Sequence, residues 1–373
     1  MTGTEYQELI DEACALLGTP ATLEGRDFGL IAYGAHDSAD DRVMDPVRTR
    51  SILSRRSTAA VRAYFEGFGI TRAEGPVRIP PDPGAGVRTG RLCLPVRHGG
   101  VVYGYIWLLD DGATALDDPR LVGAADVADR IGTRLAAEAR AGARLGELLR
   151  AALSPAGRGR ELAAALGPGA EGPLTLVALA PWPGERDTPA GLPGALAVSP
   201  MARGRAHGAL AVLVRPGGAR AVAVGLRGQY GGAAGVGGAR RGVADLAGAW
   251  RESLAAARAA AAEERFGGVA DWAALGPYRL LTALPDAAPD PAVAALLGPA
   301  HRELARTAET FLDHAGQAAR TAAALGIHRQ TLYYRISRIE RLTGLDLADG
   351  EDRLLLHMSL KTARLPGGEG AGL

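Results

Sequence analysis

"LGIHRQTLYYRISRIERLTGLDL" spans residues 325–347. It reads as a short glycine turn followed by an amphipathic helix that carries four arginines and two adjacent tyrosines. Leu332, Ile336 and Ile339 recur at i, i+4 and i+7, and Leu342 completes the stripe, so this face is expected to be buried. Gly344 stands where a C-cap would end the helix. At about 100° per residue, Gln330, Tyr334, Ser337 and Arg341 fall opposite the stripe, with Arg338 beside them. Such a face is either the outer wall of a core or a surface shaped to enter a nucleic-acid groove.

The flanking sequence favours the groove. Upstream, Leu304, Ala308, Phe311 and Leu312 share one face of a helix that stops at His314–Ala315–Gly316. QAARTAAALG (317–326) follows, a short helix whose small residues let a second helix cross closely, with Leu325 inward. Gly326 supplies the turn, Ile327 points back to the core, and His328 is expected to cap the next helix or to bind backbone. A last helix over 351–365 (EDRLLLHMSLKTARL) is expected to bury Leu354, Leu355 and Met358. Two short helices joined by a tight glycine turn have helix-turn-helix architecture. Arg329, Gln330 and Thr331 then occupy the first turn, where a recognition helix meets base edges. Glutamine can bond adenine bidentately and arginine guanine. Tyr334 offers a hydroxyl to a phosphate and a ring to a thymine methyl. Ser337, Arg338 and Arg341 lie further along, where phosphate contacts predominate. Arg335 belongs to the same basic set but sits near the core side, where Glu340, Asp346 or the first of these helices, the one that carries Leu304 and Phe311, could claim it. Tyr333, at the flank, is expected to be packed.

The whole composition gives less direction. The chain has 373 residues, enough for two or three domains, and its 47% hydrophobic and 22% charged residues make it globular. The formal net charge is +1, so attraction to DNA must come from a local patch. Charge is uneven: residues 1–41 carry nine acidic side chains and one arginine. Cys14 and Cys93 are far apart with no ligand spacing, which argues against a disulfide or zinc site. The acidic, polar start has no signal-peptide pattern and no apolar run reaches membrane-spanning length, so a cytoplasmic location is expected. His36 with Asp37, Asp40 and Asp41 reads as a solvated acidic loop rather than a cation site. No HExxH, GxSxG or Cys/His pairing occurs, and no catalytic residue, metal or cofactor is assigned.

The expected fold is multidomain α+β. Residues 1–120 mix helix (5–17 and 46–68) with strands (28–33, then RLCLPVRHG and VVYGYIWLLD), the last two forming a hairpin at Gly99–Gly100. Residues 121–153 form one long helix, which either dimerises or packs on its own domain. Residues 154–285 form an α/β domain with strands expected at 173–180, 208–214, 220–226 and 231–237 and a helix at 245–263. Residues 286–365 form the all-α helix-turn-helix domain, and 366–373 a disordered tail. In the first domain Tyr103, Tyr105 and Trp107 alternate onto one strand face. With Arg55, Arg56 and Tyr64 they line either an effector pocket or a plain core.

LGPYRLL (275–281), ETFLDHAG (309–316), TAAALGIHRQTLYYRISRIERLTGLDL (321–347) and DRLLLHMSLKTARL (352–365) together closely resemble the helix-turn-helix of PucR/CdaR-type bacterial transcription regulators. The resemblance covers about 90 residues and departs at Gln330, where that family usually shows asparagine. It implies binding of double-stranded DNA, here expected as a homodimer. The family often carries a degenerate GGDEF-like central domain, which residues 173–265 resemble. No GGDEF string occurs, and RPGGAR (215–220), at the expected hairpin, lacks the acidic pair that nucleotide cyclisation needs. GVGGARRG (235–242) also lacks the spacing and lysine of a phosphate loop. The N-terminal stretch LCLPVRHGGVVYGYIWLLDD (92–111), followed by a helix, resembles a GAF- or PAS-like sensor. A small-molecule effector is implied, without its identity. A nucleotide-binding or nucleotide-metabolising protein acting through the central domain is the alternative.

Overall fold

The computed structural model describes residues 2–34, 46–54, 57–110, 112, 114–154, 157, 159–183, 188–189, 191–203, 206–284 and 289–365. They fall into two compact units, Met1–Arg144 and Leu145–Leu373. His36, Asp37, Asp40, Asp41, Arg55, Arg56 and the 366–373 tail lie outside the described residues.

The first unit contains α1 (Thr2–Leu17), β1 (Ala21–Gly25), β2 (Leu30–Tyr33), α2 (Pro46–Ser54), α3 (Ala59–Glu66), β3 (Val77–Ile79), β4 (Arg91–His98), β5 (Val101–Leu109) and most of α4 (Pro119–Leu153). The five strands form an antiparallel sheet in the order β2-β1-β5-β4-β3. Gly99 and Gly100 have φ of 56° and 81°, the left-handed pair that a two-residue hairpin requires. On one sheet face, Leu9, Ile10 and Ala13 of α1 and Val127 and Ile131 of α4 pack on Leu23, Leu94 and Ile106. On the other, Val61 and Phe65 of α3 cover Phe28, Cys93, Tyr105 and Trp107. Tyr103 does not share that face. The β4–β5 register shifts between Val96 and Arg97, so Val102 rather than Tyr103 joins Tyr105 and Trp107 in the core. A bulge of this kind breaks the two-residue alternation on which the shared face was expected.

The second unit has a sheet of order β11-β9-β6-β8-β7, with β10 (Arg240–Arg241) paired to β6. Its strands are β6 (Pro173–Trp182), β7 (Ala195–Arg203), β8 (Ala206–Val214), β9 (Ala233–Val236) and β11 (Val269–Asp271); β9 and β11 are parallel and the other pairs antiparallel. β6 is buried on both sides, as its unbroken apolar run requires. Val177 and Leu179 face α6 (Pro216–Tyr230). Leu174, Leu176 and Ala178 face α7 (Leu246–Ala262), α5 (Gly159–Leu166) and the last turns of α4. The strand expected at 220–226 and the hairpin expected at 215–220 are both absent, because those residues build α6. Pro216 opens that helix, and Ala219, Ala223 and Leu226 place its buried side at i, i+4 and i+7. A run of small apolar residues fits either period, and the proline decides. Beyond the sheet come α8 (Tyr278–Leu281), α9 (Pro291–Ala294), α10 (Arg302–Asp313), α11 (Ala318–Leu325), α12 (Arg329–Thr343) and α13 (Gly350–Thr362).

Several polar groups are buried in the first unit, among them one carboxylate of β1. Glu24 of β1 is 3% exposed and accepts hydrogen bonds from Trp107 Nε1 (3.0 Å) and Ser57 Oγ (3.2 Å). Burial pushes its carboxyl up to about 6, against the pull of these donors and of Arg91. Its ordinary value is 4.5, so between 4.5 and about 6 the folded chain holds a proton that the unfolded chain has released. This contribution is therefore complete below 4.5 and is lost as pH rises through 6. Urea unfolding of wild type and Glu24→Gln between pH 4 and 7.5 should show wild type losing roughly 2 kcal/mol relative to the variant across that window. Parallel profiles would contradict the assignment.

Candidate nucleic-acid interface

The C-terminal helices form one small core. Ile339 of α12 and Leu356 of α13 are fully buried there against Leu304, Ala308 and Phe311 of α10. Ile336 and Leu342 pack at its edge, which bears out the apolar stripe of α12. α11 buries Thr321 and Ala322, and its small side chains allow the close crossing. Gly326 (φ 64°) caps α11 in the left-handed conformation, and the Ile327 amide donates to Ala322 O at 3.0 Å. His328 caps α12, its Nδ1 accepting from the Gln330 amide at 3.3 Å. Gly344 (φ 74°) ends α12, donating to Glu340 O at 2.7 Å. Asp349 caps α13 by accepting from the amides of Glu351 and Asp352. In α13 Leu356, Ser359, Leu360 and Thr362 are buried, with Leu355 and Met358 half-buried at core edges. Leu354, expected inside, is 60% exposed, because α13 meets cores on two sides and neither lies under that position.

Seven of the eight residues assigned to nucleic acid lie on one solvent face of α12: Arg329, Gln330, Thr331, Tyr334, Ser337, Arg338 and Arg341 are all exposed. Tyr334 is 62% exposed, far more than a packed wall residue would be. Arg341 Nε donates to Ser337 O, which keeps it along the helix. Glu340, the one acid of α12, turns away and accepts from the Leu347 amide at 3.2 Å, so the face is uniformly cationic or neutral. Arg335 is the exception. Its guanidinium donates to Thr307 Oγ1 (3.2 Å) and Glu303 Oε2 (3.1 Å), fastening α12 to α10. Of the partners open to it in the sequence, the first helix of the bundle, α10, has taken it. Tyr333 is half exposed rather than packed. Its ring lies 5.6 Å from the Arg329 guanidinium carbon, and its hydroxyl accepts from Arg329 Nε at 3.1 Å. Tyr333 thus orients a first-turn arginine, a role that the i, i+4 spacing of Arg329 and Tyr333 could have disclosed.

The residues assigned to an effector are placed differently. Tyr64 donates its hydroxyl to Pro80 O at 2.8 Å. Tyr105 and Trp107 pack with Phe28 and Phe65, the Phe65–Trp107 centroids 4.6 Å apart. Tyr103 stands outside that cluster.

A known family matches at the C-terminal helices. Residues 304–362 match the PucR C-terminal helix-turn-helix domain. The chain is 41% identical over 95 residues to an uncharacterized protein in the pkwA 5′ region of Thermomonospora curvata, covering 21% of this chain and 53% of that protein. It is 50% identical over 58 residues to the carbohydrate diacid regulator of Escherichia coli, covering 16% of this chain and 15% of the regulator. It is 51% identical over 49 residues to the transcriptional activator PmfR of Paenarthrobacter nicotinovorans, covering 13% and 10%. The chain thus spans about half the length of the first relative and far less of the other two.

The division of α12 into an inner and an outer face has a direct thermodynamic test. Ile339→Ala should destabilise the second unit by roughly 2–5 kcal/mol. Tyr334→Ala should change stability by less than about 0.5 kcal/mol. Urea unfolding of both variants checks this, and comparable losses would mean that Tyr334 is a packing residue. Residues 304–362 of this chain thus match the PucR C-terminal helix-turn-helix domain.

Proposed function

We propose that the chain is a sequence-specific DNA-binding transcription regulator in which α12 enters the major groove. The observation that carries this is the exposed face of α12, which is free of acidic side chains and presents Arg329, Gln330 and Thr331 in its first turn. Gln330 is the adenine reader and Arg329, oriented by Tyr333, the guanine reader. Tyr334, Ser337, Arg338 and Arg341 meet the backbone and fix register. Arg335 serves from inside by holding α12 on α10. The carbohydrate diacid regulator and PmfR, to which part of this chain is similar, are regulators by name, which supports the reading.

The protein works as a homodimer on two half-sites, with α4 as the candidate pairing helix, and it is cytoplasmic. No helix among the described residues is long and apolar enough to cross a membrane, which agrees with that location. The first unit is a GAF- or PAS-like sensor, a reading supported by its antiparallel sheet ending in a hairpin and a long helix. The sheet of the second unit is a degenerate GGDEF-like domain without catalysis. The domain divisions at 120, 153 and 285 follow that reading. A small-molecule effector would act between the first sheet and the α2–α3 cover, with Tyr64, Tyr105 and Trp107 nearest. It would change DNA affinity through unequal affinity for two states of the dimer.

Selection of fragmented genomic DNA on the purified protein should recover a shared, roughly two-fold motif that the Gln330→Ala/Tyr334→Ala double variant loses. No enrichment over that control, with and without metabolite pools, would reject the reading. On a recovered site, log affinity should fall steeply with log salt. Gln330→Ala should relax base preference at one position by about 1–3 kcal/mol. An unchanged base profile would remove Gln330 from the reading set.

A further inference from the structure

Three carboxylates of the second unit converge on Lys361, the only lysine of the chain. Its ammonium lies 2.7 Å from Glu309 Oε1, 3.1 Å from Asp313 Oδ1 and 3.8 Å from Glu263 Oε1. The Lys361 side chain is only 12% exposed. Arg364 reaches Glu263 at 3.5 Å and also pairs with Glu309. Asp313 accepts the hydrogen bond (3.2 Å to Oδ2), and the two glutamates act as ion-pair partners around a compact point charge.

The partners come from two layers. Glu263 caps the end of α7, which packs on the sheet. Glu309 and Asp313 belong to α10 of the helical bundle. α13, which carries Lys361, has two apolar sides to match. Leu356 and Leu360 enter the bundle core, whereas Met358 packs on the core that α7 builds with Leu275, Tyr278 and Leu281. α10 in turn grips α12 through Glu303, Thr307 and Arg335. Two sets of polar contacts on α10 thus tie it to its neighbours: one to α13 and the end of α7, the other to α12.

We propose that Lys361 is a positioning residue that fixes the attitude of α12 to the sheet layer, with α10 as the lever between them. The joint itself is independent of the proposed function; only its consequence for DNA rests on that reading. Ion pairs this enclosed add little net stability but define one arrangement and penalise a broken one. Losing the ammonium should therefore loosen α10 and α12 without unfolding the sheet. In a dimer, a loosened α12 still binds one half-site but no longer presents two at a fixed spacing.

The test uses the full chain as wild type, Lys361→Met, Lys361→Arg and Glu263→Gln. Lys361 is the sole side-chain amine, so its acylation by an amine-directed acetylating reagent, read by peptide mass spectrometry, reports opening of the joint. Glu263→Gln should raise that rate about tenfold. Amide hydrogen exchange should rise about tenfold in α10 and α12 of Lys361→Met, with β6 and α6 unchanged, and Lys361→Arg should recover only part of the protection. Affinity for a two-half-site fragment should fall about tenfold in Lys361→Met while that for a single half-site holds. Unchanged exchange in α10 and α12, or exchange rising equally in β6, would overturn the joint whether or not DNA binds. Equal losses on single and paired half-sites would overturn the positioning role. Wild type that binds no DNA would sink the functional reading while leaving exchange and acylation to decide the joint.

Discussion

Seating α12 by one side is the constraint on which the C-terminal structure depends. Ile339 and Leu332 are wholly buried, and everything exposed on the helix follows from that phase. A fixed phase requires fixed ends. His328 and Gly344 supply them by satisfying amide and carbonyl groups that a short helix leaves open. The aromatic and basic residues are then held outward by geometry. Exposing two tyrosines and several arginines on one face costs burial that could have stabilised the fold, and such a surface is expected where a partner completes it.

Charge inside the molecule does a different job. Arg335 and Lys361 are basic side chains in the same bundle as the exposed arginines of α12, yet both are committed to carboxylates of α10. Neither adds much stability: solvent screens the pair with the exposed Glu303, and desolvation offsets most of the Coulomb gain around the enclosed Lys361. What they contribute is a unique arrangement of helices whose apolar contacts alone, small alanines and leucines, would allow sliding. Glu24 plays a comparable part in the first unit. It draws Trp107 of the sheet and Ser57, between α2 and α3, to one acceptor beside an apolar core.

The bundle was the most legible part of the chain. Its helices announce themselves through apolar spacing, glycine turns and caps, all local signals. The hairpin at Gly99–Gly100 was equally clear, because only glycine takes two successive left-handed positions easily. The stretch at 220–226 misread because alanine and valine in alternation satisfy a strand and a buried helix alike. Tyr103 misread because one residue inserted in a strand pair reverses which side chains face the core. Leu354 misread because a helix between two cores has no single buried stripe.

From sequence alone, the chain determined which residues α12 would show and which it would hide, since periodicity is a property of consecutive residues. It also determined where that helix begins and ends, through His328 and Gly344. Only the tertiary structure decided the partners of the paired charges. Arg335 had several carboxylates within reach of reasoning, and Glu303 and Thr307 won because α10 crosses beside it. Nothing local links Lys361 to Glu263, 98 residues earlier in the chain. Side chains distant in sequence meet only when separate helices pack, and that packing is set by all the apolar faces at once.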